Sequence, residues 1–151
     1  MNKEQLSKRL QGIEWEDFEV KSSKSNLPKS TWETVSAFSN TNGGWIVLGI
    51  SQIGKTYHIE GVVNAEKLEQ DFHSAIRSQK FNQVLQVESN LLNLEGKTIL
   101  SFFIPEAIQK PIYFNSRSNT FLRSGSGDQR ATDTEIDALY RDSAYGFKDK
   151  E

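Results

Sequence analysis

Lysines and arginines are the side chains whose spacing in this sequence could do chemistry on a polyanion. Lys21, Lys24 and Lys29 fall within nine positions, and Arg117, Arg123 and Arg130 within 14, the latter three being half of the chain's six arginines. Gly, Ser and Asn interleave with the arginines and can offer backbone amides to phosphate oxygens. The reading is a local phosphate-binding patch, set against an ordinary solvated rim. Any such patch has to be local: over 151 residues, 18 basic and 20 acidic side chains give a formal charge of −2, and phosphate binding rests on cation density.

Gly49-Ile50-Ser51-Gln52-Ile53-Gly54-Lys55-Thr56 has the letters of a phosphate-binding loop. Such a loop must open a helix so that amides and dipole face the phosphates, whereas Tyr57 to Val62 alternates like a strand. The segment is therefore read as a hairpin turn. Cysteine is absent, which excludes disulfides, thiolate zinc sites and cysteine nucleophiles and fits a reducing compartment. His58 and His73 stand apart from any metal-ligand spacing and are read as surface or boundary residues. Trp15, Trp32 and Trp45 could stack on bases, but they are spread over different elements and Trp45 begins an apolar run, so core packing is favoured there. No apolar run approaches the roughly 20 residues of a membrane span, and Met1-Asn2-Lys3-Glu4 opens a polar segment, so a soluble, cytoplasmic protein is expected.

The elements that must hold these residues follow from hydrophobic period and punctuation. Leu6, Leu10 and Ile13 predict a helix over about residues 3 to 12, ended by Gly12. Phe18 and Val20 alternate with Glu19 and Lys21 as in a half-buried strand, and Ser22 to Lys29 is a polar loop. Ser30 and Glu33 have capping-box spacing, so a helix starts there with Val35 and Phe38 inward, stopped by Asn40 to Gly44. Trp45 to Ile50 reads as a central strand covered on both faces, and Tyr57 to Val62 as the strand after it. Asn64 caps a helix running to about Gln79, with Leu68, Phe72, Ala75 and Ile76 on one stripe. Val84 to Leu94 and Lys97 to Ile104 form a hairpin through Glu95-Gly96. Pro111 to Phe114 and Thr120 to Arg123 are short strands, Ser124 to Asp128 a flexible connector, and Thr132 with Glu135 caps a last helix carrying Ile136, Leu139 and Tyr140. The expectation is one α+β domain over 1–151: a mixed sheet of about six strands with three to four flanking helices.

Three segments resemble the Schlafen/AlbA-like domain, found in Schlafen proteins and near the N-terminus of many bacterial proteins described as transcriptional regulators or helicase-related. They are Glu14 through Lys21, Val35 through Ile50 with Asn40-Thr41-Asn42-Gly43-Gly44 at its centre, and Thr120 through Ser126 followed by Arg130-Ala131-Thr132. Together they span about residues 14 to 143. The resemblance implies a mixed sheet flanked by helices, a nucleic-acid-binding role, and a lobe able to pair as a homodimer.

It also implies that Glu14 and Glu19 correspond to the acidic pair of the family's nuclease members, where a third acidic residue follows the central strand. Convergent carboxylates of that kind can hold a divalent cation for phosphodiester cleavage. Ser51 stands at the third position here, and five residues of straight strand would separate Glu14 from Glu19 by roughly 16 Å. The chain is accordingly read as a DNA-binding, transcription-regulatory module with no cofactor, binding through Lys21, Lys24, Lys29, Arg117, Arg123 and Arg130. The alternatives are a metal-dependent endoribonuclease using Glu14 and Glu19, and a dimerisation or protein-interaction lobe without nucleic acid.

Overall fold

The computed structural model describes residues 1–11 and 15–149, with side chains as far as Ser143. The chain runs α1 (Lys3–Arg9), β1 (Phe18–Lys21), α2 (Thr31–Asn40), β2 (Gly44–Leu48), β3 (Ile50–Ile53), β4 (Thr56–Ile59), α3 (Ala65–Arg77), β5 (Glu88–Leu94), β6 (Lys97–Ile104), β7 (Phe121–Ser124), β8 (Gly127–Arg130) and α4 (Asp133–Asp149). The fold is α+β, as composition and pattern lead one to expect.

A four-stranded sheet of order β1-β2-β6-β5 forms the centre. β1 runs parallel to β2, and the other two pairings are antiparallel. The alternation of β2 decides what lies on each face. Ile46 and Leu48 point to α2 and α3, joining Val35, Phe38, Leu68, Phe72, Leu100, Phe102 and Ile104 in the larger core. Val47 points the other way, to Leu6 of α1 with Phe18, Val20, Ile50 and Ile99. Phe72 stacks on Phe102 with ring centroids 3.8 Å apart. Each such fully buried side chain contributes about 2–3 kcal/mol by leaving water.

The remaining strands form two separate hairpins, β3–β4 and β7–β8, so the expected sheet of about six strands is a sheet of four with two ribbons beside it. The Ser124–Asp128 connector is not a loose linker: it contains the turn of β7–β8, with Gly125 at φ +60°. Pro111 to Phe114 makes only single bridges, Tyr113 to Thr120 and Phe114 to Phe81, and the strand expected from Val84 begins at Glu88. The N-terminal helix ends at Arg9, and Gly12, expected to stop it, lies outside the described residues.

The caps separate spacing from geometry. Asn64 accepts from the Lys67 amide, and Thr132 with Glu135 forms the reciprocal pair of bonds. Ser30 precedes α2 but its side chain caps nothing. Its hydroxyl instead accepts from Lys21 Nζ at 3.0 Å. Inside α2, Asn40 ties the helix to distant chain: its side chain donates to the carbonyls of Ile112 and Phe121 and accepts from the Ile112 amide.

Candidate nucleic-acid interface

β1 is an edge strand, and its alternation puts Phe18 and Val20 in the smaller core while Glu19 and Lys21 face the side of α2. An edge strand leaves backbone carbonyls without sheet partners. Arg123 supplies them. From β7 its guanidinium donates to the carbonyls of Glu16 and Phe18 at 2.8 and 3.1 Å, pairs with Glu19 at 2.8 Å and Asp128 at 2.9 Å, and lies over the Phe38 ring. Its side chain is 1% exposed. Among the six expected binding cations, Arg123 therefore turns inward, and its donors are used within the domain. It ties the β7–β8 hairpin to the edge of the main sheet from within.

The surrounding charges are tuned by the same burial. Desolvation holds the Glu19 carboxyl above its usual range, opposed by Arg123. Burial likewise pulls the Lys21 ammonium below its usual value, opposed by Glu19 and Asp128. Thr34 of α2 donates to Asp128, so β1, the first turn of α2 and the β7–β8 hairpin meet at one polar cluster. Asp128 had no signal in the sequence, because a Gly/Ser-rich stretch conceals which of its residues folds back onto the sheet.

Lys24 and Lys29 are exposed in the loop between β1 and α2, and among the described residues neither has an ion-pair partner. This loop is fastened to the base of β3–β4. The Gly49 amide donates to the Lys21 carbonyl at 2.9 Å, the Val63 amide to the Lys24 carbonyl at 2.7 Å, and Ser22 Oγ to Glu60. Lys21 and Lys24 thus lie beside the base of that ribbon, and Lys29 follows them on the same loop.

Arg117 and Arg130 come together through the loop between them. Arg130 donates to the Ser118 carbonyl and to Asn119 while lying over Phe121. Arg117 is exposed, paired with Asp137 at 2.6 Å and set over Tyr140. Both present charge at the surface, but each is partly engaged already.

Glu14 lies outside the described residues. Glu19 is bound by Arg123, and Ser51 sits on β3 opposite His58. Among the described residues no three Asp, Glu or His side chains converge as a metal would need. Gly49 to Thr56 folds as a hairpin, with Gly54 and Lys55 in the turn and no helix after it, so its phosphate-loop letters lack the helix that would give them meaning.

The Schlafen, AlbA_2 family model matches residues 14–132. The chain belongs to this family. Its structure is similar to the N-terminal domain of a RecG-related protein from Nitrosomonas europaea, a protein named for its relation to an ATP-dependent DNA helicase. Identity there is 29%, with a TM-score of 0.64, covering 87% of this chain and 94% of that one. The fold is also shared with the DIP2311 protein from Corynebacterium diphtheriae, at 17% identity and a TM-score of 0.55, covering 83% of this chain but 24% of that longer one. No curated protein matches the chain. Family membership supports a nucleic-acid-related role for this Schlafen/AlbA_2 domain, and no helix in its described residues is long and apolar enough to cross a membrane.

Proposed function

We propose that this Schlafen/AlbA_2 domain is a DNA-binding, regulatory module that grips the phosphate backbone mainly through Lys24 and Lys29. Lys21 adjoins that grip, Arg117 and Arg130 add charge from the β7–β8 side, and Arg123 organises the surface from within. The observation that carries the reading is the pair of exposed lysines, without ion-pair partners among the described residues, on a loop braced against a hairpin. Unneutralised cations on a fixed backbone suit phosphate positioning, which sets register without reading sequence. A DNA-directed role, and pairing with a second copy, rest on family likeness together with this charge placement.

The test is a binding titration against single- and double-stranded DNA and RNA at two salt concentrations, with and without magnesium. Binding should weaken with salt, with a slope near −0.9 per phosphate contact on duplex DNA. Absence of salt-dependent binding to every polymer would leave a protein-interaction lobe. RNA shortened only when magnesium or manganese is present, and spared in Glu19→Gln, would establish the endoribonuclease instead.

A further inference from the structure

The β3–β4 ribbon carries two rows of side chains with different tasks. Ile50, Tyr57 and Ile59 turn inward onto the smaller core. The opposite row is Ser51 and Ile53 on β3, facing His58 and Thr56 on β4 in register. Ile53 is 67% exposed, Thr56 and His58 are exposed, and Lys55 stands in the turn between the strands.

The base of the ribbon is fixed while its tip is open. Gly49 and Gly61 sit at φ +103° and +78° and face each other so closely that a Cβ on Gly49 would lie 3.1 Å from Gly61. The amides of Glu60 and Gly61 both donate to the Gly49 carbonyl. Around Gly54 there is nothing within 4 Å of where a Cβ would be. No carboxylate occurs from Ile50 to Ile59, and the loop bearing Lys24 and Lys29 is hydrogen-bonded to the ribbon's base.

We infer that this ribbon enters the major groove of duplex DNA, where the methyls of Ile53 and Thr56 meet thymine methyl groups while Lys55 and the loop lysines hold flanking phosphates. The inference deepens the proposed function and rests on it. Dimensions favour it: the two strands lie about 5 Å apart, so the ribbon's outward face fits a groove about 12 Å wide that admits a two-stranded ribbon. Chemistry favours DNA over RNA, because the A-form major groove is too narrow for side chains and uracil lacks the methyl group. A protein partner fits less well, since an acid-free ribbon flanked by lysines is matched in charge to a polyanion.

The experiment compares wild type and Ile53→Ser on one mixed-sequence DNA duplex, the same duplex with every thymine replaced by uracil, the corresponding RNA duplex and a single strand. Wild type should bind thymine DNA tightest and lose about fourfold per methyl removed from contact. Ile53→Ser should discriminate less between the thymine and uracil duplexes than wild type does, because only the Thr56 methyl remains, with its melting temperature little changed because the side chain is mostly exposed. Wild type indifferent to the thymine methyl, or Ile53→Ser binding as wild type does, overturns the inference alone if Lys24→Glu still weakens binding. Wild type that binds no polymer overturns the proposed function and this inference together.

Discussion

Arg123 on β7 and Glu19 on β1 face each other at 2.8 Å across the gap between a hairpin and the edge of the main sheet. With Asp128 and two β1-side carbonyls on the same guanidinium, this contact fastens one independent ribbon to the sheet. Its removal should be felt globally. Arg123→Met strands the Glu19 carboxylate, which burial has already made costly, and removes the partner of Asp128, and the expected loss is about 3 kcal/mol. In a domain of this size that is a fall of about 10 °C in a thermal melt. Arg123→Lys should recover little, because a single ammonium cannot reproduce the planar fork of donors. A melt within 2–3 °C of wild type for either variant would contradict the role given to this residue.

Asn40→Ala should cost about 3 kcal/mol in denaturant unfolding. It leaves the Ile112 amide and the Ile112 and Phe121 carbonyls without their side-chain partner, and each buried unsatisfied group costs about 1–3 kcal/mol. Asn40→Asp should also destabilise, because it removes the bonds donated to Ser36, Ile112 and Phe121 while keeping the accepted one.

Arg9 clasps Asp17 with two hydrogen bonds, at 2.6 and 3.1 Å, and these bonds hold the Asp17 carboxyl below its usual range despite partial burial. A carboxylate with a lowered folded-state pKa contributes stability that is present above the unfolded value and lost as pH falls through the folded one. Asp17→Asn should therefore lower stability near neutral pH, by at most about 1 kcal/mol for a pair this exposed. It should also flatten the acid side of the stability profile. A profile parallel to wild type through the acid range would show that the pair contributes nothing.

Replacing Lys24 and Lys29 together by Glu should reduce the magnitude of the salt slope of DNA binding by about two and weaken unrelated sequences alike. Stability should stay within about 0.5 kcal/mol, because both side chains are on the surface. Titrations at several salt concentrations alongside a melt distinguish this from unfolding, and an unchanged slope would move the phosphate contacts elsewhere.

The helices and the central strand were legible because their signals are local. The period of Leu68, Phe72 and Ile76 describes one helix packed against a core, and the two-sided apolarity of Trp45 to Leu48 one strand, whereas Ile50, expected to continue it, lies beyond Gly49 at φ +103° and belongs to β3. Cap letters were legible only in part: Thr132 with Glu135 closes its box, whereas the same spacing at Ser30 and Glu33 does not, since Ser30 has helical backbone angles and its hydroxyl accepts from Lys21 of β1 instead. The interface was harder, because its arrangement is made by contacts far apart in sequence. Arg123 looks like any surface arginine until it is seen to reach the carbonyls of Glu16 and Phe18, more than 100 residues away. Asp128, in a turn rich in Gly and Ser, gives no sign that Thr34 and Arg123 converge on it.

The pinched glycines at the foot of β3–β4 divide that ribbon's sequence into two inheritances. Inward positions are answerable to the core, while Ile53, Thr56 and His58 are exposed and can be rewritten without the fold registering the change. Related chains could keep one scaffold and diverge in what they recognise, and a designer could graft a different outward row onto the same stem.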